Sequence, residues 1–126
     1  MKIVKRTLVM AALAVPIAIG TFANGFDKMD LQKLISAKGC ENCNLSGADL
    51  YETELSGAIL LGANLSDANL SGANLSFAKL AGANLRHVDL SGADLSFTDL
   101  RQAQLEKATL CGTKMPWGED NSGCAE

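Results

Sequence analysis

Leucine stands at positions 45, 50, 55, 60, 65, 70, 75, 80, 85, 90, 95, 100, 105 and 110, and Met115 continues the series. Two residues before each stands a small or β-branched residue: Cys43, Ala48, Thr53, Ala58, Ala63, Ala68, Ala73, Ala78, Ala83, Val88, Ala93, Thr98, Ala103, Ala108 and Thr113. A period of five fits no ordinary element. On an α-helix five residues advance the chain by about 500°, roughly 140° past one turn, so the leucines would form no stripe. In a continuous strand side chains alternate, and an odd period would throw successive leucines onto opposite faces. The chain must therefore turn a corner every five residues. The small residue and the Leu, two apart, then both point inward from a short extended segment.

Corner chemistry agrees with this. Ser46-Gly47, Ser56-Gly57, Leu61-Gly62, Ser71-Gly72, Ala81-Gly82 and Ser91-Gly92 follow a leucine, and glycine there suits the positive φ of a type II turn. Four corners close a square coil of twenty residues, and coils of this kind stack about 4.8 Å apart through backbone hydrogen bonds. Residues 43–117 make fifteen units, or about four coils. The predicted architecture is an all-β solenoid with a leucine core.

A twenty-residue circuit puts defined side chains above one another. Phe77, Phe97 and Trp117 fall in one aromatic column. Lys79 lies over Asp99, Arg86 over Glu106 and Asp94 over Lys114, three pairings of opposite charge. Asn44, Asn64, Asn84 and Gln104 form a polar ladder of the kind seen in stacked parallel strands. Asp67, His87 and Lys107 share a further column, where the one histidine bonds Asp67 or solvent rather than serving catalysis. Val88 is large for its tight layer and predicts a local bulge.

Units such as Ala63-Asn64-Leu65-Ser66-Asp67 and Ala73-Asn74-Leu75-Ser76-Phe77 resemble the pentapeptide-repeat family. The resemblance implies a right-handed quadrilateral β-helix. Departures are mild: Thr53, Thr98 and Thr113 replace Ala, and Ile59 and Lys79 occupy the Asn/Asp slot.

The segments outside the repeats read differently. Lys2, Lys5 and Arg6 precede an uncharged, mostly apolar run from Thr7 to Ile19, and Thr21-Phe22-Ala23 provides a cleavage pattern, so residues 1–23 read as an export signal. The run is short for a membrane span, which wants about 20 apolar residues, so no stable membrane insertion is expected after cleavage. Loss of the leader leaves 8 cations against 14 acids, a net charge of −6, which argues against nucleic-acid binding. Residues 24–42 hold a short amphipathic helix within 26–38, stopped by Gly39, whose task is to cover the open first coil, with Ile59 and Leu61 as its landing site. Residues 118–126 form a C-terminal tail.

Four cysteines in an exported chain point to structural disulfides. Cys40, Cys43, Cys111 and Cys124 allow three pairings, of which proximity favours Cys40–Cys43 and Cys111–Cys124. A shared zinc site is disfavoured by the separation of the two pairs, and each pair alone offers too few ligands. The flanks Cys40-Glu41-Asn42-Cys43 and Trp117-Gly118-Glu119-Asp120-Asn121-Ser122-Gly123-Cys124 are similar to those of exported pentapeptide-repeat proteins of the periplasm and the cyanobacterial thylakoid lumen. That resemblance implies a first Cys pair before the first coil and a last pair that ties down the tail.

These features describe a non-catalytic, exported structural or protein-binding module in the periplasm, or the thylakoid lumen of a cyanobacterium. No cofactor or metal is expected. Phe77, Phe97 and Trp117 are the candidate partner surface, the partner being a protein, a second copy of the chain included. Two other classes carry less weight. The resemblance implies a DNA-mimic inhibitor or protector of a nucleic-acid enzyme such as gyrase, which an exported protein would not meet. Cys40 and Cys43 could form a thiol/disulfide pair, without the βαβ context of a thioredoxin.

Overall fold

The computed structural model describes residues 25–125, so the leader assigned to residues 1–23 lies outside it. Helix α1 spans Lys28–Ala37. Strand β1 spans Thr113–Met115 and pairs antiparallel with β2, Gly118–Asp120. Between α1 and β1 the backbone is held by single parallel bridges, each joining residues twenty apart, from Gly39 with Ile59 to Asp94 with Lys114. The bridges stay single because each side of the circuit holds only three extended residues. The inward residues flank one outward residue, whose N–H and C=O both reach the preceding rung, while the inward residues bond the rung that follows. Thus Asn84 N–H donates to the Ala63 carbonyl at 2.9 Å, and Leu65 N–H donates to the Asn84 carbonyl at 2.8 Å.

Each side ends in a tight turn in which the small residue's N–H donates back to the preceding Leu carbonyl, as Ala48 does to Leu45 at 3.1 Å. The second turn residue takes positive φ, as type II turns require. Glycine fills it at Gly62 (φ 65°) and Gly72 (φ 69°), but Asp67, Phe77, His87 and Phe97 adopt the same backbone at 59–61°. At Gly72 the need for glycine is also steric, since a Cβ would lie 2.7 Å from the Glu52 Cγ. The outward Asn or Asp secures the turn that follows it. The Asn64 Oδ1 accepts from the Ser66 N–H (3.1 Å) and hydroxyl (2.8 Å), and Asn69, Asn74 and Asp89 repeat the arrangement. This local bond is why Asn/Asp-Leu-Ser recurs along the chain. The column expected of Asn44, Asn64, Asn84 and Gln104 forms through backbone bridges, while the Oδ1 atoms of the three asparagines accept from the corners that follow them. Side-chain bonds between rungs occur elsewhere, from Asn74 to Glu54 (2.8 Å) and Asn69 to Asp49 (3.4 Å).

Leu45 to Leu95 are fully or almost fully buried and pack with the Ala layer into one apolar cluster. Each such leucine contributes about 1.5–3 kcal/mol of transfer free energy. Threonine enters the Ala layer without leaving a polar atom unpaired. Thr53, Thr98 and Thr113 donate their hydroxyls to the carbonyls of Leu50, Leu75 and Leu90 at 2.7–2.8 Å. Val88 causes no bulge. Its rung keeps the bridges of Asp89 to Asn69 and Thr109, and the added volume shows only as a longer Val88-to-Leu85 turn bond of 3.3 Å.

The ends differ. Asp27 caps α1, accepting from the Met29 and Asp30 N–H groups, while Leu31 and Leu34 enter the apolar cluster. The Asp30 carboxylate accepts from the Asn44 N–H at 2.8 Å and fixes the helix to the bridge of Asn44 with Asn64. Ile59 and Leu61 are not the landing site. Leu34 and Ile35 border Leu50 and Leu55, and Ile59 keeps its side chain 38% exposed while its backbone pairs with Lys38 and Cys40 just after the helix. At the opposite end Leu100, Ala103, Leu105 and Ala108 are only partly buried.

Candidate interaction surface

One side of the circuit is built from residues 53–55, 73–75, 93–95 and 113–115. Its outward column is Glu54, Asn74, Asp94 and Lys114, joined by bridges. The corner before it carries Glu52, Gly72, Gly92 and Gly112. The corner after it carries Gly57, Phe77 and Phe97. A groove of about 240 Å³ runs over this side, lined by Glu52, Glu54, Gly72, Asn74, Gly92 and Asp94. The glycine corner supplies its low wall. Where the side meets α1, a smaller apolar notch of about 150 Å³ opens between Leu34, Ile35, Leu50 and Leu55, with Lys38 and Glu54 at its rim.

The expected aromatic column is formed in part. Phe77 and Phe97 stack with ring centroids 4.9 Å apart and planes 13° from parallel, and both are largely exposed. Among the described residues Trp117 makes no ring contact with them. The chain reverses into the β1–β2 hairpin at Pro116 and Trp117 instead of rounding the corner, so Trp117 leaves the column while remaining exposed.

Of the three opposite-charge pairs, only Arg86 and Glu106 meet, at 3.3 Å. Asp99 turns from Lys79 to Arg101, which it holds at 2.8 Å through a two-nitrogen grip. The Arg101 side chain, then its backbone N–H, pull the Asp99 carboxyl down to about 2. The Asp94 carboxyl is also lowered, by hydrogen bonds from the Ser96 side chain and backbone before any effect of Lys114. His87 is exposed and makes no hydrogen bond to Asp67 among the described residues.

Both cysteine pairs are bonded as Cys40–Cys43 and Cys111–Cys124. The first locks the exit of α1 onto the repeats. The second holds the tail beside the last repeats, where Leu110 N–H donates to the Ser122 carbonyl (2.9 Å) and Gly112 N–H to the Asn121 Oδ1 (3.0 Å). Asp30 approaches Cys40 and Cys43, but sulfurs bonded to each other are no metal ligands. Among the described residues no helix is long and apolar enough to cross a membrane.

The groove residues Glu52, Glu54 and Asp94 escaped the sequence expectation, which followed the aromatic column alone. Wrapping the sequence at twenty residues places them on the side bounded by Phe77 and Phe97, so the information was present in the spacing.

Eight copies of the family unit described as pentapeptide repeats match residues 40–76 and 78–115, more than half of the chain. The chain belongs to the pentapeptide-repeat family, whose members fold as right-handed quadrilateral β-helices and are in general structural or binding proteins rather than enzymes. Among solved structures it is similar to HetL, a pentapeptide repeat protein involved in heterocyst differentiation regulation from Nostoc sp. strain PCC 7120. The identity is 36% over 64% of this chain and 41% of that one, with a TM-score of 0.40. A second Nostoc pentapeptide repeat protein shows 38% identity over 60% of this chain and 67% of its own, with a TM-score of 0.41. One from the thylakoid lumen of Arabidopsis thaliana shows 26% identity over 60% and 57%, with a TM-score of 0.40. The chain thus spans well under two thirds of the HetL and Arabidopsis chains. No curated protein matches it.

Proposed function

We propose that this chain is an exported, non-catalytic binding module of the periplasm or thylakoid lumen, which presents its Phe77–Phe97 edge to a protein partner. The units of that module are a leader at 1–23, a capping helix and linker at 24–42, a β-helix of about four coils at 43–117 and a disulfide-held tail at 118–126. The observation that carries the binding role is the exposed stack. Phe77 and Phe97 are 63% and 73% exposed and sit at φ of 61° and 60°. Left-handed backbone costs a side-chain-bearing residue about 1–2 kcal/mol, a cost that glycine avoids at corners such as Gly62 and Gly72. Two large rings kept in strained, solvent-facing positions fit a contact surface better than a packing role.

Two disulfides support an oxidising compartment. That compartment separates the chain from the nucleic-acid enzymes a DNA mimic would engage. Cys40 and Cys43 are 1% and 3% exposed, which favours a structural bridge over thiol exchange. The test is recovery of partners by the full protein from its exported compartment, with and without Phe97→Ala, together with N-terminal sequencing of the exported form. Loss of partners in the variant and a first residue at Asn24 support the proposal. Unchanged partners remove the aromatic edge from the function, and an uncut N-terminus removes the export step.

A further inference from the structure

Resting on the binding-module reading, we propose that the side of Glu54, Asn74 and Asp94 takes an extended basic segment of its protein partner, with an arginine guanidinium stacked on the open face of the Phe77 ring. The aromatic corner is one ring short. Gly57 has the same left-handed backbone as Phe77, at φ of 72° against 61°, yet a Cβ at Gly57 meets no atom within 4 Å. A side chain can therefore leave the backbone at Gly57 unobstructed, and the Phe77 ring, 63% exposed, stacks on Phe97 and on no other ring among the described residues. The rung spacing of about 4.8 Å is the distance at which one planar group stacks on that ring face.

Charge selects the group. Glu54 lies on the same rung as Gly57 and is held down the face by its bond from Asn74. Asp94 is kept ionised by Ser96, and Glu52 drapes over Gly72 at the far corner. Among the described residues the cations near this side stand at its borders: Lys38 at the rim of the notch, Lys79 across the aromatic corner and Lys114 at the last rung. The centre of the side stays negative, next to an exposed ring face. A guanidinium is flat, stacks within about 6 Å of a ring centroid and donates in-plane hydrogen bonds to a carboxylate. A lysine ammonium matches the charge but not the slot. The apolar notch beside Leu34, Ile35 and Leu55 adds room for one aliphatic side chain of the same segment.

Three acetylated hexapeptide probes, of alternating Leu and Arg, Leu and Lys, and Leu and Phe, test the assignment when titrated into the full disulfide-bonded protein. Binding is read by calorimetry and by the ring proton resonances of Phe77. The Leu/Arg peptide is expected to bind, with the Leu/Lys peptide about three-fold weaker and Gly57→Phe, which fills the slot, about ten-fold weaker. Glu54→Gln keeps an acceptor for Asn74 and removes the charge, and is expected to weaken Leu/Arg binding several-fold. Should Gly57→Phe fail to match the wild-type circular dichroism, Phe77→Asn, a residue at ease in left-handed backbone, replaces it with the same expected loss. Leu/Arg binding that is indifferent to Gly57→Phe reduces the effect to general charge attraction and overturns the inference. Preferential binding of the Leu/Phe peptide in the slot overturns the basic partner but leaves the aromatic edge as a contact surface. If no probe shifts the Phe77 ring, the inference falls, while partner recovery with Phe97→Ala still decides the module itself.

Discussion

The Thr98 hydroxyl donates at 2.8 Å to the carbonyl of Leu75, twenty-three residues earlier in the chain and on the neighbouring rung. The same carbonyl also closes its own corner by accepting from the Ala78 N–H at 3.0 Å. One acceptor thus serves the turn and the stack at once. Thr98→Val keeps the shape and deletes the bond, but leaves the carbonyl one partner. Its expected cost is about 1 kcal/mol, the net worth of a hydrogen bond whose acceptor is not orphaned. A urea midpoint unchanged by the substitution would show that the bond contributes nothing.

The core is tightest in the middle and loosest at its C-terminal end. Leu75→Ala opens a cavity between filled rungs and is expected to cost about 2–5 kcal/mol. Leu105 is only partly buried, and no bond from its N–H to a following rung is formed among the described residues. Leu105→Ala should therefore cost less than half as much. Amide exchange should follow the same gradient, with Leu65 to Leu85 slowest and Leu100 and Leu105 fastest. Equal protection along the stack would contradict the open end.

The two disulfides should differ in worth. Cys111–Cys124 closes a loop of thirteen positions and Cys40–Cys43 one of three. On a loop-entropy basis the paired substitution Cys111→Ala/Cys124→Ala costs about 3 kcal/mol and Cys40→Ala/Cys43→Ala about 2. Thermal unfolding of the two variants gives the order. The first variant should also lose protection at the Leu110 amide, whose partner is Ser122 in the tail.

Acid should weaken the fold only below pH 4. The Asp99 carboxyl is depressed to about 2, chiefly by the Arg101 side chain, and Asp94 is lowered in the same direction by Ser96. A carboxyl depressed in the folded state stabilises fully above its unfolded value, near 3.9, and ceases to do so as pH falls through the folded value. The melting temperature should therefore hold steady from neutrality to about pH 4 and fall between pH 4 and 2. Asp99→Asn should flatten part of that fall. A decline already under way at pH 6 would point to a different group.

The Leu–Ala register and the twenty-residue circuit were legible in the sequence because each is a short-range rule. Every corner lies within five residues, and the Asn64–Ser66 bond that fixes it spans two. The Phe77–Phe97 stack followed from the circuit by arithmetic. The column of Asn44, Asn64 and Asn84 also followed from the circuit, but their Oδ1 atoms turn to the corner two residues on, because the local bond closes a turn at small entropic cost. Asp99 preferred Arg101 to Lys79 for a related reason: a guanidinium two residues away grips both carboxylate oxygens.

Residue order alone determined that the chain bends every five positions and buries leucine, since no helix or flat strand can gather that period onto one face. Only the tertiary structure decided what happens at the two ends and at the edge. There the repeat no longer supplies a neighbour, and local rules fall silent. Whether Trp117 continues the column or turns into the hairpin depends on the tail's pairing with β1 and its bond to Cys111. Whether Glu54, Asp94 and the gap at Gly57 form one surface depends on how three rungs, distant in sequence, come into register.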